Sequence, residues 1–205
     1  MNGHNLIAPI YDLLAQLIFG KRIERASKTL VEWIGREKNI LILGGGTGKV
    51  LEFFDPSHQI HYLDISQKMI ELAQKRKFSC HVRFECEDFR SLNLENKYDA
   101  ILCPFFLDVF AADELECVLE KLHQHSNPNT ILLVADFDPR TSSSRNKIIM
   151  KAMLLFFYSL KAIPNHKYNN LFELIESQKK LRLLSTKSQQ QGFIVSCKYK
   201  FISPT

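Results

Sequence analysis

Short strand-like runs alternate with segments of helical spacing along the first two thirds of the chain. Between the runs, apolar residues recur every three or four positions, most clearly from Leu115 to Leu122. Apolar runs without polar alternation are typical of strands buried on both faces, so the alternation predicts a parallel sheet with helices on both sides. The predicted strands are residues 39–43, 59–63, 82–86, 98–103 and 130–135.

Two segments with helical spacing come before the first strand. Residues 6–18 and 22–34 each predict an amphipathic helix, and Gly20 between them favours the end of the first one. A short helix is also expected over residues 50–54. Ser66 predicts the N-cap of the helix that follows the second strand.

The last third of the chain departs from the alternation. Residues 146–160 and 171–177 predict two helices, and residues 181–187 and 192–201 predict two strands. The turn between these strands is too short for a parallel crossover, so they predict an antiparallel hairpin at the sheet edge.

The pattern as a whole predicts a Rossmann-like α/β domain. We expect a doubly wound, mostly parallel sheet of about seven strands, with N-terminal helices and a helical insert before the edge hairpin. A single domain is expected to fill residues 1–205, divided into an N-terminal helical cap (1–36), a cofactor-binding core (37–137), a helical substrate cover (138–178) and a C-terminal hairpin (179–205).

Composition narrows the class of protein. Hydrophobic residues make up 45% of the 205 residues and charged residues 24%, as in an ordinary globular domain, and the net charge of +5 does not demand nucleic acid as a partner. The five cysteines are scattered without a C-x-x-C pair, which favours reduced thiols over a disulfide framework or a zinc site. The chain does not open on a secretory signal pattern, so a cytoplasmic location is expected.

A glycine-rich loop follows the first predicted strand, Gly44-Gly-Gly-Thr-Gly48. Glycines at a strand-to-helix turn allow positive φ and close approach of the backbone to a ligand. A dinucleotide fingerprint needs a glycine where Lys49 stands, and a phosphate-binding loop needs glycine and Ser or Thr where Leu43 and Val50 stand. Both of these nucleotide-binding patterns therefore fail.

The loop resembles motif I of the class I S-adenosylmethionine-dependent methyltransferases, in which an apolar strand runs into G-x-G-x-G. Gly44, Gly46 and Gly48 match that pattern, whereas Ile42 stands where the family usually has an acidic residue. The resemblance implies S-adenosylmethionine as cofactor, with the backbone from Gly44 to Gly48, including Gly45 and Thr47, holding its methionine part.

Acidic residues at the ends of the next two strands extend the resemblance. It implies that Asp64 accepts from the ribose hydroxyls, with Ile65 and Met69 beside the ribose and adenine. The alternative for Asp64 is a carboxylate that stabilises a helix N-terminus. The family site for the adenine amino group corresponds to Asp88, with Phe89 as the apolar wall, and a shift of one residue in strand register would put Glu87 in its place.

The segment after the fourth strand is rich in aromatic residues. The resemblance places Cys103, Pro104 and Phe105 in the cofactor pocket, and an apolar cleft here suits the loss of charge by a sulfonium. The alternative is that Phe106 and Phe110 are simply core. Tyr11 lies in a Tyr-Asp segment similar to that of ubiquinone- and menaquinone-biosynthesis methyltransferases, which implies a place in a lid; otherwise it is a half-buried aromatic.

These features predict methyl transfer to a small-molecule acceptor that the sequence does not identify. His166, Tyr168 and Asp108 are the candidate bases, in case the acceptor needs one. An inactive scaffold of the same fold that binds S-adenosylmethionine or a nucleoside is the alternative, and an enzyme at a membrane surface is a third hypothesis. No metal and no nucleic-acid partner are expected, and we expect a monomer or a homodimer.

Overall fold

The structure is a computed structural model. It describes residues 3–36, 38–92, 97–138, 140, 143–159, 170–189 and 192–202, without the side chains of residues 3–7, 10, 145, 156 and 157. Its described strands are β1 (Asn39–Leu43), β2 (Gln59–Asp64), β3 (His81–Cys86), β4 (Tyr98–Pro104), β5 (Ser126–Phe137), β6 (Leu181–Gln189) and β7 (Ile194–Phe201).

One sheet contains all of these strands, in the order β3-β2-β1-β4-β5-β7-β6. The strands from β1 to β5 pair in parallel, β7 is antiparallel to β5, and β6 is antiparallel to β7. The prediction of a mostly parallel sheet with an antiparallel edge hairpin is confirmed. The fifth strand begins at Ser126, four residues earlier than predicted.

Helices cover the sheet where the spacing predicted them. They are α1 (Gly3–Phe19), α2 (Arg22–Glu32), α3 (Gln67–Gln74), α4 (Ala112–Gln124), α5 (Ser144–Ser159) and α6 (Leu171–Ser177). The predicted helix after the glycine loop is a short 3₁₀ segment, Lys49–Phe53. Ser66 caps α3 as predicted, because its side chain accepts the backbone N–H of Met69 at 3.2 Å.

After Asn39, the strand β1 is a uniformly apolar run that is buried on both faces of the sheet. Leu41 and Leu43 face a core cluster shared with α4 and α6, and Ile40 and Ile42 face a second cluster shared with α2 and α3. Ile42 is fully buried in that second cluster. The side chain that departs from the family pattern is therefore part of the core.

The sheet order creates a crevice at one edge. The chain crosses from β1 to β2 on one side and reaches β4 on the other, so the carboxyl ends of β1 and β4 lie side by side where the strand order reverses. Ligands of open α/β sheets bind at such a point.

Two glycines of the loop allow the energetic cost of backbone strain to be measured apart from the cost of overpacking. Gly46 and Gly48 both have positive φ, but an added Cβ meets nothing within 4 Å at Gly46, whereas at Gly48 it lies 2.7 Å from the Cβ of Ala73 on α3. We expect Gly46→Ala to lower the free energy of unfolding by about 1–2 kcal/mol through left-handed strain. Gly48→Ala adds overpacking and is expected to cost about 2–5 kcal/mol in total.

Urea denaturation of the two variants measures this difference. Equal losses of stability would mean that α3 moves away from the added methyl group without cost, and would contradict the packing argument.

Candidate active site

A cavity of about 380 Å³ opens at the carboxyl ends of the parallel strands. Gly44 and Gly46 form its floor, and the segments that follow β2, β3 and β4 surround it. Apolar side chains of α1 and α5 close the opposite side, among them Leu14, Ile18, Met150 and Met153. The site is therefore a cleft with a polar floor and apolar walls, as small-molecule sites usually are.

Asp64 connects the glycine loop to the end of β2. Its Oδ2 accepts the backbone N–H of Gly46 at 2.9 Å, and its Oδ1 accepts that of Ser66 at 2.8 Å. Asp64 also lines the cavity. The carboxylate thus serves the start of α3, as the alternative interpretation held, and it faces the position expected for a nucleoside. A carboxylate offers about four acceptor positions, enough for backbone donors and a ribose diol together.

A polar cluster that the sequence analysis did not identify ties α1 to the glycine loop. The Thr47 hydroxyl donates to Asp12 at 2.6 Å, and Arg76, which follows the end of α3, forms an ion pair with Asp12. The Arg76 guanidinium also donates to the carbonyl oxygen of Thr47 at 2.5 Å and to Glu52 at 2.8 Å. Three segments that are distant in sequence are held together, and Thr47 contributes its side chain to this cluster.

Tyr62 is a second contact that sequence reasoning missed. It is fully buried in β2, and its hydroxyl donates to the carbonyl oxygen of Gly46 at 3.0 Å. A tyrosine in a strand expected to be buried was the available signal, because a buried phenol needs a hydrogen-bond partner.

Asp88 and Phe89 lie at the far end of the cavity, together with Glu87. Arg90 donates to both carboxylate oxygens of Asp88, the shortest contact being 2.7 Å, and these bonds hold the pKa of Asp88 below its usual value. An adenine amino group would therefore have to share Asp88 with Arg90. Since Glu87 also faces the cavity, both acidic candidates remain.

The aromatic segment after β4 forms part of the cavity wall. Phe105, Phe106 and Phe110 all line the cavity, although Phe110 also belongs to the core, as the alternative interpretation held. The ring of Phe105 packs against that of Phe137 with centroids 5.1 Å apart. This wall is apolar.

The remaining candidates occupy different places. Tyr11, Ile65 and Met69 line the same cavity. Gly45 and Pro104 line a smaller adjoining cavity of about 120 Å³ between α1, α2 and the loop. Neither cavity is lined by Gly48, which packs on α3, or by Cys103, which is fully buried in the core.

Two aspartates meet beside the aromatic wall. Asp108 follows β4 and lines the cavity, and Asp136 lies near the end of the neighbouring strand β5. Burial raises the pKa of Asp108 to about 6, and burial together with the charge of Asp108 raises the pKa of Asp136 well above its usual value. The other two candidate bases, His166 and Tyr168, lie outside the described residues.

Comparison with known proteins places this geometry in a family. Residues 40–129 match the family model described as a methyltransferase domain. This part of the chain is therefore similar to a methyltransferase domain, and the whole chain has the Rossmann-like methyltransferase fold. Over 106 residues it is 39% identical to malonyl-[acyl-carrier protein] O-methyltransferase of Bacillus cereus, a match that covers 50% of this chain and 38% of that protein. The chain spans about two fifths of the length of the Bacillus relatives that it matches.

Solved methyltransferase structures share the fold. The structure of a DhpI–SAH complex has a TM-score of 0.70 at 16% identity and covers 97% of this chain and 93% of that one. Magnesium protoporphyrin IX methyltransferase (ChlM) from Synechocystis PCC 6803, with bound SAH, has a TM-score of 0.63 at 16% identity and covers 92% and 87%. At such identities the likeness concerns the fold alone.

The family match covers only part of the residues around the cavity. Residues 40–129 include the glycine loop, Asp64, Asp88 and Asp108, whereas α1, Asp136 and α5 lie outside them. Within the described part of the chain, no group of three or more His, Cys, Asp or Glu side chains could hold a metal ion. No helix of that part is long and apolar enough to cross a membrane.

The Asp12–Thr47–Arg76 cluster predicts how firmly α1 is held. Arg76→Gln removes the ion pair to Asp12 and the bond to the loop carbonyl, and since the pair is only partly exposed we expect a loss of about 1 kcal/mol. Backbone amides of α1 should then exchange hydrogen faster, because their link to the loop is gone. Hydrogen exchange measures this.

Lys68→Gln is the matched control, because it breaks an ion pair to Glu71 that lies on the exposed surface of α3. Faster exchange of α1 in the control as well, or in neither variant, would contradict the proposed link.

Proposed function

We propose that the chain is an S-adenosylmethionine-dependent methyltransferase that acts on a small-molecule acceptor. The observation that carries the proposal is the junction of Asp64 with the glycine loop, at the edge of the cavity where the strand order reverses. This junction offers a backbone turn and a carboxylate to one nucleoside-bearing ligand. The methyltransferase-domain match over the same residues supports the cofactor.

The charges of the cavity suit this cofactor. The described lining contains several carboxylates, among them Asp64, Glu87 and Asp108, and one guanidinium, that of Arg90. S-adenosylmethionine carries a sulfonium and an ammonium group against one carboxylate, so an acidic lining favours it. The acidic lining also argues against a polyphosphate nucleotide.

The proposed cofactor contacts run along the cavity from the glycine loop to Phe89. The loop from Gly44 to Gly48, with Tyr11 above it, holds the methionine part, and Asp64 holds the ribose. Adenine then lies between Ile65, Met69 and Phe89, with Asp88 as the acceptor for its amino group. Phe105 flanks the sulfonium, with Cys103 and Pro104 supporting it from behind, because Cys103 lies within the core.

Methyl transfer in this site would be an in-line displacement that depends on positioning and desolvation. The sulfonium loses its charge as the methyl group leaves, so the apolar wall of Phe105, Phe137 and Met150 favours the transition state. The helix α5 lines the cavity beside that wall, which supports its role as a substrate cover. Apolar side chains on α1 and α5 further favour a lipophilic part in the acceptor.

The proposal extends to the division of the chain and to its partners. The division into cap, core, cover and hairpin follows the elements around the cavity, and we propose a monomer or homodimer without a nucleic-acid partner. The relatives' names give malonyl-[acyl-carrier protein] as their substrate, so a malonyl thioester is one acceptor to test here.

Cofactor binding is tested by calorimetry with Asp64→Ala. We expect S-adenosylmethionine to raise the melting temperature of the native chain by mass action. Asp64→Ala should weaken the binding of S-adenosylmethionine at least tenfold. It removes at least one charge-assisted hydrogen bond, and a loss of about 1.4 kcal/mol lowers the affinity tenfold.

The control is Asp55→Ala, because Asp55 also accepts a backbone N–H two residues ahead, that of Ser57, but lies outside the cavity. Unchanged affinity in the Asp64 variant would remove this residue from the ribose site. The absence of binding to the native chain at millimolar cofactor would overturn the function.

Turnover is tested by incubating the chain with methyl-tritiated cofactor and either a malonyl thioester or a cell metabolite extract. We expect transfer of label to a small molecule, and none with heat-denatured protein. Cofactor binding without any transfer from either mixture would instead support the inactive scaffold.

A further inference from the structure

We propose that Asp108 and Asp136 form a proton-sharing carboxyl pair beside the transferred methyl group, and that Asp108 accepts the proton of an acceptor methylated on N–H or O–H. This inference rests on the proposed function and adds to it a base, a positioning residue and a class of acceptor. It starts from one buried oxygen atom.

Asp136 has a carboxylate oxygen that no described donor satisfies. The residue is fully buried, and its Oδ1 accepts the backbone N–H of Phe137 at 2.9 Å. Its Oδ2 has no hydrogen-bond donor among the residues that the structure describes. Leaving a buried polar atom unpaired costs about 1–3 kcal/mol, and more for a charged group, so a partner is expected.

The neighbouring group is the carboxyl of Asp108. The strands β4 and β5 end together, with the backbone N–H of Phe105 donating to the carbonyl oxygen of Ala135 at 2.7 Å. The turn that carries Asp108 packs against β5, and the Asp108 carboxyl lies within hydrogen-bond reach of Asp136. Two carboxylates in one buried site cannot both be charged at low cost, so they share a proton.

The proton belongs to Asp136. Its pKa is raised more strongly than that of Asp108, first by burial and then by the charge of Asp108, and the hydrogen bond between them lowers the pKa of Asp108 while raising that of Asp136. Near neutral pH, a protonated Asp136 therefore donates to a charged Asp108. The buried oxygen that lacked a partner is satisfied by its own proton.

Of Tyr11, Asp136 and Asp108, only Asp108 is both charged and accessible from the cavity. The phenol of Tyr11 on α1 feels Asp108 more than any other charge, followed by Asp12, Asp64 and Asp136. Burial and these carboxylates raise the pKa of Tyr11, so it stays protonated. Asp108 alone of the pair lines the cavity, so it is the member that an acceptor can reach.

The step balances with these groups. A lone pair on the acceptor's nitrogen or oxygen attacks the methyl carbon, the carbon–sulfur bond breaks, and its electron pair goes to sulfur to give S-adenosylhomocysteine. The proton on that nitrogen or oxygen goes to the Asp108 carboxylate and leaves to water with the products. A carboxylate acceptor has no such proton and would be repelled, which separates this chain from a malonyl methyltransferase.

The charge beside the sulfonium is measured without any acceptor, by the ratio of the affinities for S-adenosylmethionine and S-adenosylhomocysteine from pH 5 to 8. Groups that both ligands share cancel in the ratio. Since Asp108 ionises at a pKa of about 6, the preference for the cation should increase as pH rises through that value, by on the order of tenfold. Asp108→Asn should remove the pH dependence and retain binding of the neutral ligand.

Asp136 is tested as a positioning residue through the midpoint of the same curve. Asp136→Ala removes the donor to Asp108 and should shift the midpoint to higher pH, and Asp136→Asn should restore it because its amide N–H can donate. A ratio that is flat with pH in the native chain overturns the inference, even if the variants fail to fold. Loss of binding of both ligands by the native chain would instead overturn the proposed function.

The class of acceptor is tested by the stability of the labelled product. Tritium transferred from the cofactor to a compound of a metabolite extract should stay bound to that compound after mild alkali. This is expected of N-methyl groups and of O-methyl ethers. Asp108→Asn should transfer at least tenfold less at pH 7.5. Release of volatile labelled methanol would identify a methyl ester, hence a carboxylate acceptor, and would overturn the inference.

Discussion

The Asp64 carboxylate accepts backbone N–H groups from two segments that would otherwise separate at the edge of the sheet. One bond fixes Gly46 of the glycine loop and the other fixes Ser66 at the start of α3. Because the loop needs positive φ at several positions, its conformation has to be held by its neighbours. The rest of the site depends on this: Thr47 then reaches α1 through Asp12, and the cavity obtains both its floor and its cover.

A cavity with acidic lining and apolar walls has a physical cost, and the chain limits it in different ways. Asp64 and Asp88 keep their charges because N–H donors and Arg90 bind them. Among the described residues, one carboxylate oxygen of Asp136 lacks such a donor, and burial beside Asp108 raises the pKa of Asp136, which keeps a proton on it. Carboxylates that are held by donors suit a bound cation, whereas a carboxyl pair with one proton suits a proton transfer. The two ends of the cavity thus differ in chemistry because they differ in hydrogen bonding.

Local features of the sequence predicted the fold and the place of the cavity. A buried strand followed by Gly44 to Gly48, and acids at the next strand ends, are recognisable within a few residues, and the cavity indeed lies there. The missed contacts join distant segments. Arg76 reaches back to Asp12, and Asp136 meets Asp108 only because β4 and β5 end in register. Spacing along the chain does not show which distant residues come into contact. It also did not show that Cys103 faces the core.

The same separation governs what the family model can say about the acceptor. The matched domain ends at residue 129, before Asp136, Phe137 and the whole of α5, and it begins after α1. Phe137 and side chains of α1 and α5 line the same cavity as the glycine loop. Conservation of a fold constrains the side that binds the shared cofactor, while the other side is free to change with the acceptor. The acceptor of this chain therefore has to be argued from Asp108, Asp136 and the apolar wall, whatever its relatives methylate.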